Sequence, residues 1–187
     1  NLKARLAYST VSQLGYITMG ALLATSAGVM GSAMHIATHA FGKITLFFCA
    51  GAILVAAHKS NISEMRGLGR QMPITMAAFF IASLSIIGVP PAGGTWSKWY
   101  LLMGTIETEQ FILLGILMIS SLLNIAYLLP IPFHAFFSSD NMASPSVGIK
   151  EAPLPSLIAL SITAIGCVVL FVYPQPLYDL AKAILAT

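Results

Sequence analysis

Apolar runs long enough to cross about 30 Å of hydrocarbon at about 1.5 Å per residue recur along this sequence at about 6–27, 31–57, 73–104, 111–137 and 154–173. A backbone in lipid must satisfy its hydrogen bonds internally, so runs of this length specify transmembrane helices. The alternation that would mark a membrane β-barrel is absent. Charged residues are 8% of the chain, against roughly 25% in a soluble domain, and they fall mostly between the runs. The expected fold class is all-α, a polytopic transmembrane helical bundle of about five spans, with residues 1–187 forming a single transmembrane domain.

The interruptions carry their own signals. Residues 28–32 predict a tight turn. The stretch 58–71 holds Lys59, Glu64, Arg66, Gly67, Gly69 and Arg70, and Pro73 suits the first turn of the helix that follows. Glu107 and Glu109 end the third run. Residues 138–155 form a polar, proline-containing connection with Asp140, Lys150 and Glu151, and Pro174 and Pro176 close the last run. Beyond them Leu177, Leu180, Ala181, Ile184 and Leu185 recur at helical spacing, which predicts a tail helix along the membrane interface. Lys3, Arg5, Lys59, Arg66, Arg70 and Lys150 fall on one side of this topology and Lys182 alone on the other. That asymmetry predicts a cytoplasmic N-terminal end and an outside C-terminus. The first residues lead into a full-length span rather than a cleavable signal sequence, and the chain lacks a starting Met, so a piece of a longer protein is expected.

The third run, 73–104, would be about 48 Å long as one continuous helix, beyond what the hydrocarbon requires. It must bend or break, and Gly88, Val89, Pro90, Pro91, Ala92, Gly93 and Gly94 supply the place. Each proline removes a donor and crowds the preceding turn, while glycine tolerates non-helical angles. A broken helix leaves carbonyls and amides unpaired at membrane depth, a geometry that transporters use at ion sites. A proline kink or a pair of short re-entrant pieces would fit the same residues.

Lys43 lies near the middle of the second run, too deep to snorkel out, and a charge there costs about 3 kcal/mol even on the lenient insertion scale. It should face the bundle interior, water or a partner. His35 and His39 precede it at steps of four, placing His35, His39 and Lys43 on one helical stripe suited to a proton relay bridged by water. Packing histidines, or a metal shared by His35 and His39, are the alternatives; the metal reading lacks a third ligand. Lys98 follows the break in Thr95, Trp96, Ser97, Lys98 and Trp99, where it could meet freed carbonyls. Trp96, Trp99 and Tyr100 would equally form an interfacial belt with Lys98 snorkelling beside them. Ser12, Gln13, Tyr16, Ser120, Ser121, Asn124 and Tyr127 are softer candidates for lining a water path, and helix–helix hydrogen bonds account for them as well. His58 and His134 lie near span ends. Cys49 and Cys167 sit inside apolar runs without thiol-pair or zinc spacing. The sequence holds no phosphate loop, nucleophile elbow or paired carboxylates, and no basic run of the kind that binds nucleic acid, so no enzyme, cofactor, metal or nucleic-acid reading is favoured.

Three segments resemble a known family. LKARLAYSTVSQLGY at 2–16 is similar to the DLKRxLAYSSVSQxG signature of the antiporter-like subunits shared by respiratory complex I, membrane hydrogenases and Mrp-type multisubunit cation/proton antiporters. HIATHAFGK at 35–43 resembles HxxTHAFFKAxLF, and GVPPAGGTWSK at 88–98 resembles GxPPxxGFxSK at the family's second broken helix. The resemblance implies two inverted five-helix repeats in about fourteen helices, of which this chain would be the second repeat without its first helix, plus the helix that follows. It implies that Lys43 is the central relay lysine, His35 and His39 the connecting histidines, and Lys98 the broken-helix lysine at the exit half-channel. Pro90, Pro91, Gly93 and Gly94 would form the break. The family's first-half glutamate and lysine have no counterpart. Trp96, Ser97, Lys98, Trp99 and the double proline look most like the Mrp D-type branch, although Gly42 stands where a Phe is usual and Thr95 and Trp96 replace the usual Phe-containing pair. The implied function is a proton-translocating subunit of a sodium/proton antiporter in a bacterial inner membrane, with other membrane subunits, protons and Na+ as partners. A redox-driven complex I or hydrogenase subunit, or a non-conducting structural subunit, are the alternatives. A proton is expected to pass between Lys43 and Lys98 through His39 and bound water.

Overall fold

The computed structural model describes residues 1–138 and 148–185; Asp140 and most of its connection lie outside the described residues. Every regular element among the described residues is helical: α1 (Leu2–Leu22), α2 (Ser26–Ala57), a 3-10 turn (Ile62–Met65), α3 (Leu68–Gln71), α4 (Pro73–Ile87), α5 (Gly94–Glu107), α6 (Phe111–Leu128), α7 (Pro130–Phe137), α8 (Leu154–Val172) and α9 (Gln175–Leu185). Ser26–Ala57, the continuous Phe111–Phe137 pair and Leu154–Val172 are each long and apolar enough to span a membrane. The other two crossings read from the sequence are α1, whose apolar length is diluted by Lys3, Arg5 and Gln13, and α4 with α5, each too short to cross alone.

One expectation fails. Residues 28–32 form no turn: the chain reverses at Leu23–Thr25, with Ala24 at φ 52° and the Thr25 hydroxyl accepting from the Gly28 N–H at 3.0 Å as the N-cap of α2. The glycines there serve packing instead. A Cβ on Gly28 would stand 2.6 Å from the Gly20 carbonyl, and one on Gly31 would stand 2.7 Å from the Leu101 backbone nitrogen. Small residues thus bring α1, α2 and α5 into backbone contact, the usual basis of helix packing in lipid.

The third run breaks as predicted. Gly88, at φ 86°, ends α4 by donating to the Leu84 carbonyl at 2.9 Å, and α5 restarts at Gly94. Gly94 lies in such close contact with the Ser85 carbonyl that no side chain fits there. The Gly93 N–H donates to the Cys167 carbonyl of α8 at 2.9 Å, which covers part of the exposed backbone.

α2 is the central helix, with half of its most apolar window buried against 17% for α6–α7 and α8, and it packs on α1, α4, α5, α8 and α9. Its main apolar cluster, including Leu6, Leu46, Ile53, Met72, Met76 and Phe79, fills the end of the bundle that carries most of the Lys and Arg. Smaller clusters of Tyr16, Leu101 and Leu117, and of Met30, Met34 and Ala181, fill the other. Between these apolar ends lie the buried side chains of Ser9, Gln13, His35, His39, Lys43, Lys98 and Asn124.

The predicted division of charge is also a division in space. The Leu2 N–H donates to the Ser60 carbonyl, Gly67 to His134, and Lys150 to Gln71, gathering the segments that hold the six basic residues on one face. There the Glu151 carboxylate caps α4, accepting from the Ile74 and Thr75 N–H groups at 2.6 and 3.3 Å and the Thr75 hydroxyl at 2.7 Å. The Asn61 side-chain amide, with the Asn61 and Ser60 N–H groups, holds the exposed Glu64 carboxyl below the usual carboxylate range. The tail helix α9 seats Leu177, Tyr178 and Ala181 against Met30 and Met34 of α2, while Leu180 faces outward.

Candidate proton-transfer site

Lys43 is 5% exposed and bends toward α1. Its ammonium donates to the Ser9 hydroxyl at 2.7 Å and to the Leu6 carbonyl at 3.3 Å. One and two turns earlier on α2, the rings of His39 and His35 stack with centroids 5.8 Å apart. The stripe is therefore continuous, and both histidines are buried.

Lys98 is 7% exposed and turns into the bundle, so it does not snorkel. Trp99, 58% exposed, takes the outward position, and the Trp96 indole donates to the Phe171 carbonyl at 3.0 Å. The break explains what Lys98 holds. In an unbroken helix the Ile87 carbonyl would accept from the residue four positions on, which is Pro91 and has no N–H. The Lys98 ammonium donates to that carbonyl at 2.8 Å and to the Ser121 hydroxyl of α6 at 3.1 Å, and it lies 4.8 Å from the centroid of the Tyr16 ring. Pro90 and Pro91 themselves are exposed, while Gly93 and Gly94 are buried.

Between the lysines runs a set of hydrogen bonds that the His39 relay does not use. The Ser9 hydroxyl, which accepts from Lys43, pairs with the Tyr127 hydroxyl, and Tyr127 donates to Asn124 Oδ1. Gln13 Nε2 donates to the same Asn124 Oδ1 at 3.3 Å, and Gln13 Oε1 accepts from His35 Nε2 at 3.2 Å. His35 Nδ1 meets the Ser97 hydroxyl at 2.9 Å, directly beside Lys98. Since a carbonyl oxygen only accepts, His35 carries a proton on Nε2, and the Ser97 hydroxyl beside Nδ1 also lies 3.0 Å from the Gly94 carbonyl, to which it donates.

Of the softer candidates, Gln13, Tyr16, Ser121, Asn124 and Tyr127 join this arrangement, whereas Ser12 is exposed and Ser120 half-buried. Ser9 was missed, although a signal existed: Leu2, Leu6, Ser9, Gln13, Tyr16 and Gly20 make one buried stripe at steps of three and four. Two clefts that border α6 reach these groups. One of about 390 Å³, lined by Arg5, Tyr8, Ser9, Ser12 and Tyr127, lies on the Lys43 side, and one of about 280 Å³ reaches Lys98 and Ser121. His39 Nε2 is buried and has no hydrogen-bond partner among the described residues. No cluster of three His, Cys, Asp or Glu that could hold a metal forms among them. Both cysteines are free and buried.

Comparison with known proteins matches residues 1–124 to the family described as NADH:quinone oxidoreductase/Mrp antiporter, transmembrane. NADH-quinone oxidoreductase subunit N of Desulforudis audaxviator is 33% identical over 180 residues, covering 91% of this chain and 36% of that protein. The D-type Na+/H+ antiporter subunit of Alkalihalophilus pseudofirmus is 30% identical over 166 residues, covering 87% of this chain and 34% of that protein. The chain thus spans about a third of the length of these curated relatives. Among solved structures, a chain of the Mrp complex from a Dietzia species superposes with a TM-score of 0.83 at 22% identity, over 94% of this chain and 40% of its own. A chain of respiratory complex I from Thermus thermophilus gives 0.77 at 23% identity, over 95% and 38%. Both share the fold.

Proposed function

The chain belongs to the NADH:quinone oxidoreductase/Mrp antiporter transmembrane family, and from that membership we propose that it is a proton-translocating subunit of a multisubunit sodium/proton antiporter, of the Mrp D-type kind. The observation that carries the proposal is two buried lysines in one bundle, each held by neutral groups, with protonatable side chains between them. A lysine ammonium at membrane depth is costly, and a site that tolerates one with neutral partners suits a proton that comes and goes. Lys43 exchanges its proton with His39, His39 with His35, water bridging the gaps, and Lys98 at the break passes it toward the opposite surface. Lys43, His39, His35 and Lys98 are the transferring groups; Pro90, Pro91, Gly93 and Gly94 make the break that seats Lys98.

In this reading residues 1–187 form one transmembrane unit from the C-terminal part of a longer antiporter-like subunit. The basic face is cytoplasmic and the end after α8 outside, in a bacterial inner membrane. Its partners are other membrane subunits, and the exchanged cation is Na+. A second reading, a proton-pumping subunit of a complex I-like oxidoreductase, is favoured by the 33% identity to subunit N over 91% of the chain. Obligatory sodium coupling distinguishes the two.

In the full complex reconstituted in vesicles, Lys98→Ala abolishes sodium-dependent proton exchange at normal expression. Exchange retained at the wild-type rate would overturn the role of Lys98, and tolerance of Met at both lysines would identify a non-conducting structural subunit.

A further inference from the structure

The hydrogen bonds between the two lysines converge, and from that convergence we infer that Asn124 insulates the Lys43 half of the polar core from the Lys98 half. The inference rests on the proton-translocating reading and adds to it a residue that keeps transfer on the histidine route.

From the Lys43 side a row of donors points toward Asn124. Tyr127 donates its one proton to Asn124 Oδ1, so Ser9, which accepts from Lys43, donates to the Tyr127 oxygen. From the other side His35 donates to Gln13 Oε1 and Gln13 Nε2 donates to Asn124 Oδ1. Two rows of donors end on one amide oxygen. A hydroxyl or imidazole passes a proton by accepting one and releasing another, but a carboxamide oxygen is too weak a base to keep a proton and its N–H does not release one. Asn124 is 1% exposed, so its amide oxygen meets these side chains rather than bulk water. Its Nδ2 faces the Tyr16 hydroxyl at 3.5 Å, and the Tyr16 ring lies under Lys98. Asn124 therefore separates two hydroxyls, Tyr127 and Tyr16, that a proton-carrying side chain would join. Both rows of donors stop at its carboxamide, which carries no proton onward and leaves His39 as the link.

A carboxylate at this position opens the route. Tyr127 gives its proton to one carboxylate oxygen and recovers one from Ser9, which recovers one from the Lys43 ammonium; the resulting acid donates to the Tyr16 oxygen as Tyr16 releases its own proton to water on the Lys98 side. The test is passive proton flux in vesicles holding the full complex, with a pH gradient and no sodium. Asn124→Asp raises this flux about tenfold or more, given the hundredfold and larger effects of positioned proton-transfer groups. Asn124→Leu, which fills the site but carries no proton, leaves it at the wild-type level. Asn124→Ser, neutral and small, gives an intermediate leak and serves if the buried carboxylate prevents assembly. No leak in whichever of Asn124→Asp and Asn124→Ser assembles, or an equal leak with Leu, overturns the inference. The Lys98→Ala assay separates this failure from failure of the function itself. Exchange abolished there with no leak here removes only the insulator.

Discussion

Adding one methyl group at Gly31 tests whether backbone contact between α2 and α5 sets the site geometry. A Cβ at this position lies 2.7 Å from the Leu101 nitrogen, 2.9 Å from its Cγ and 3.0 Å from the Ser97 carbonyl. Two of those three neighbours are backbone, so a change of rotamer cannot relieve the overlap. Restoring an ordinary 3.4 Å contact moves α5 outward by about 0.7 Å. Overpacking of this kind costs about 1–3 kcal/mol. The same displacement stretches the 2.9 Å contact between His35 Nδ1 and the Ser97 hydroxyl to about 3.6 Å, outside hydrogen-bonding range. Gly31→Ala should therefore lower the thermal stability of the purified complex and slow proton exchange together. Gly51→Ala on the same helix is the control: its Cβ meets nothing within 4 Å, and replacing a helical glycine there gains up to about 1 kcal/mol. If Gly31→Ala matches Gly51→Ala in melting temperature and exchange rate, the close α2–α5 contact does not position the site.

Two further outcomes concern the basic face. Glu151→Gln removes the negative charge that caps α4 through Ile74 and Thr75, and should cost about 1 kcal/mol in thermal unfolding while leaving exchange unchanged; an unaltered melting temperature would show that the neutral amide caps as well. The Glu64 carboxyl is held below its usual range by Asn61 and the backbone of Ser60 and Asn61, so its contribution is present above the ordinary carboxylate pKa and lost as pH falls through the depressed one. Hydrogen exchange at the Ser60 and Asn61 amides, normalised for intrinsic rate, should lose protection over that acid range in the wild type and show no such step in Glu64→Gln.

Local chemistry made the broken helix legible in advance. Pro90 and Pro91 lack the N–H groups that helix continuation needs, and Gly88 tolerates the left-handed turn that caps α4. Lys43 was legible for a related reason, since its depth in an apolar run is a property of one segment. Gly28 and Gly31 misled because a glycine that permits a turn and one that permits helix contact look alike in a single sequence; only the approach of Gly20 and Leu101 distinguishes them. The α1–α6 bridge stayed hidden for a different reason. Gln13 and Asn124 meet across 111 positions of sequence, and nothing within either helix states which face meets the other.

The depth of the two lysines acquires its meaning from what surrounds them. Lys43 rests on an intact helix, where the Leu6 carbonyl already accepts from the Thr10 hydroxyl at 3.0 Å, so Ser9 supplies its shortest bond. Lys98 instead takes a carbonyl whose helical partner would have been Pro91, and adds the Ser121 hydroxyl and the Tyr16 ring. The lysine and the helix break therefore form one device. The missing N–H of Pro91 would leave a bare acceptor in the membrane, and the Lys98 ammonium would otherwise lack a strong one. Each offsets part of the other's cost of burial. Ser97, one residue earlier on α5, faces His35 of α2, so the same restart of the helix that delivers Lys98 to its carbonyl also delivers a hydroxyl to the histidine stripe. Moving α5 along its axis would disturb both contacts, which ties the chemistry at the break to the state of α2.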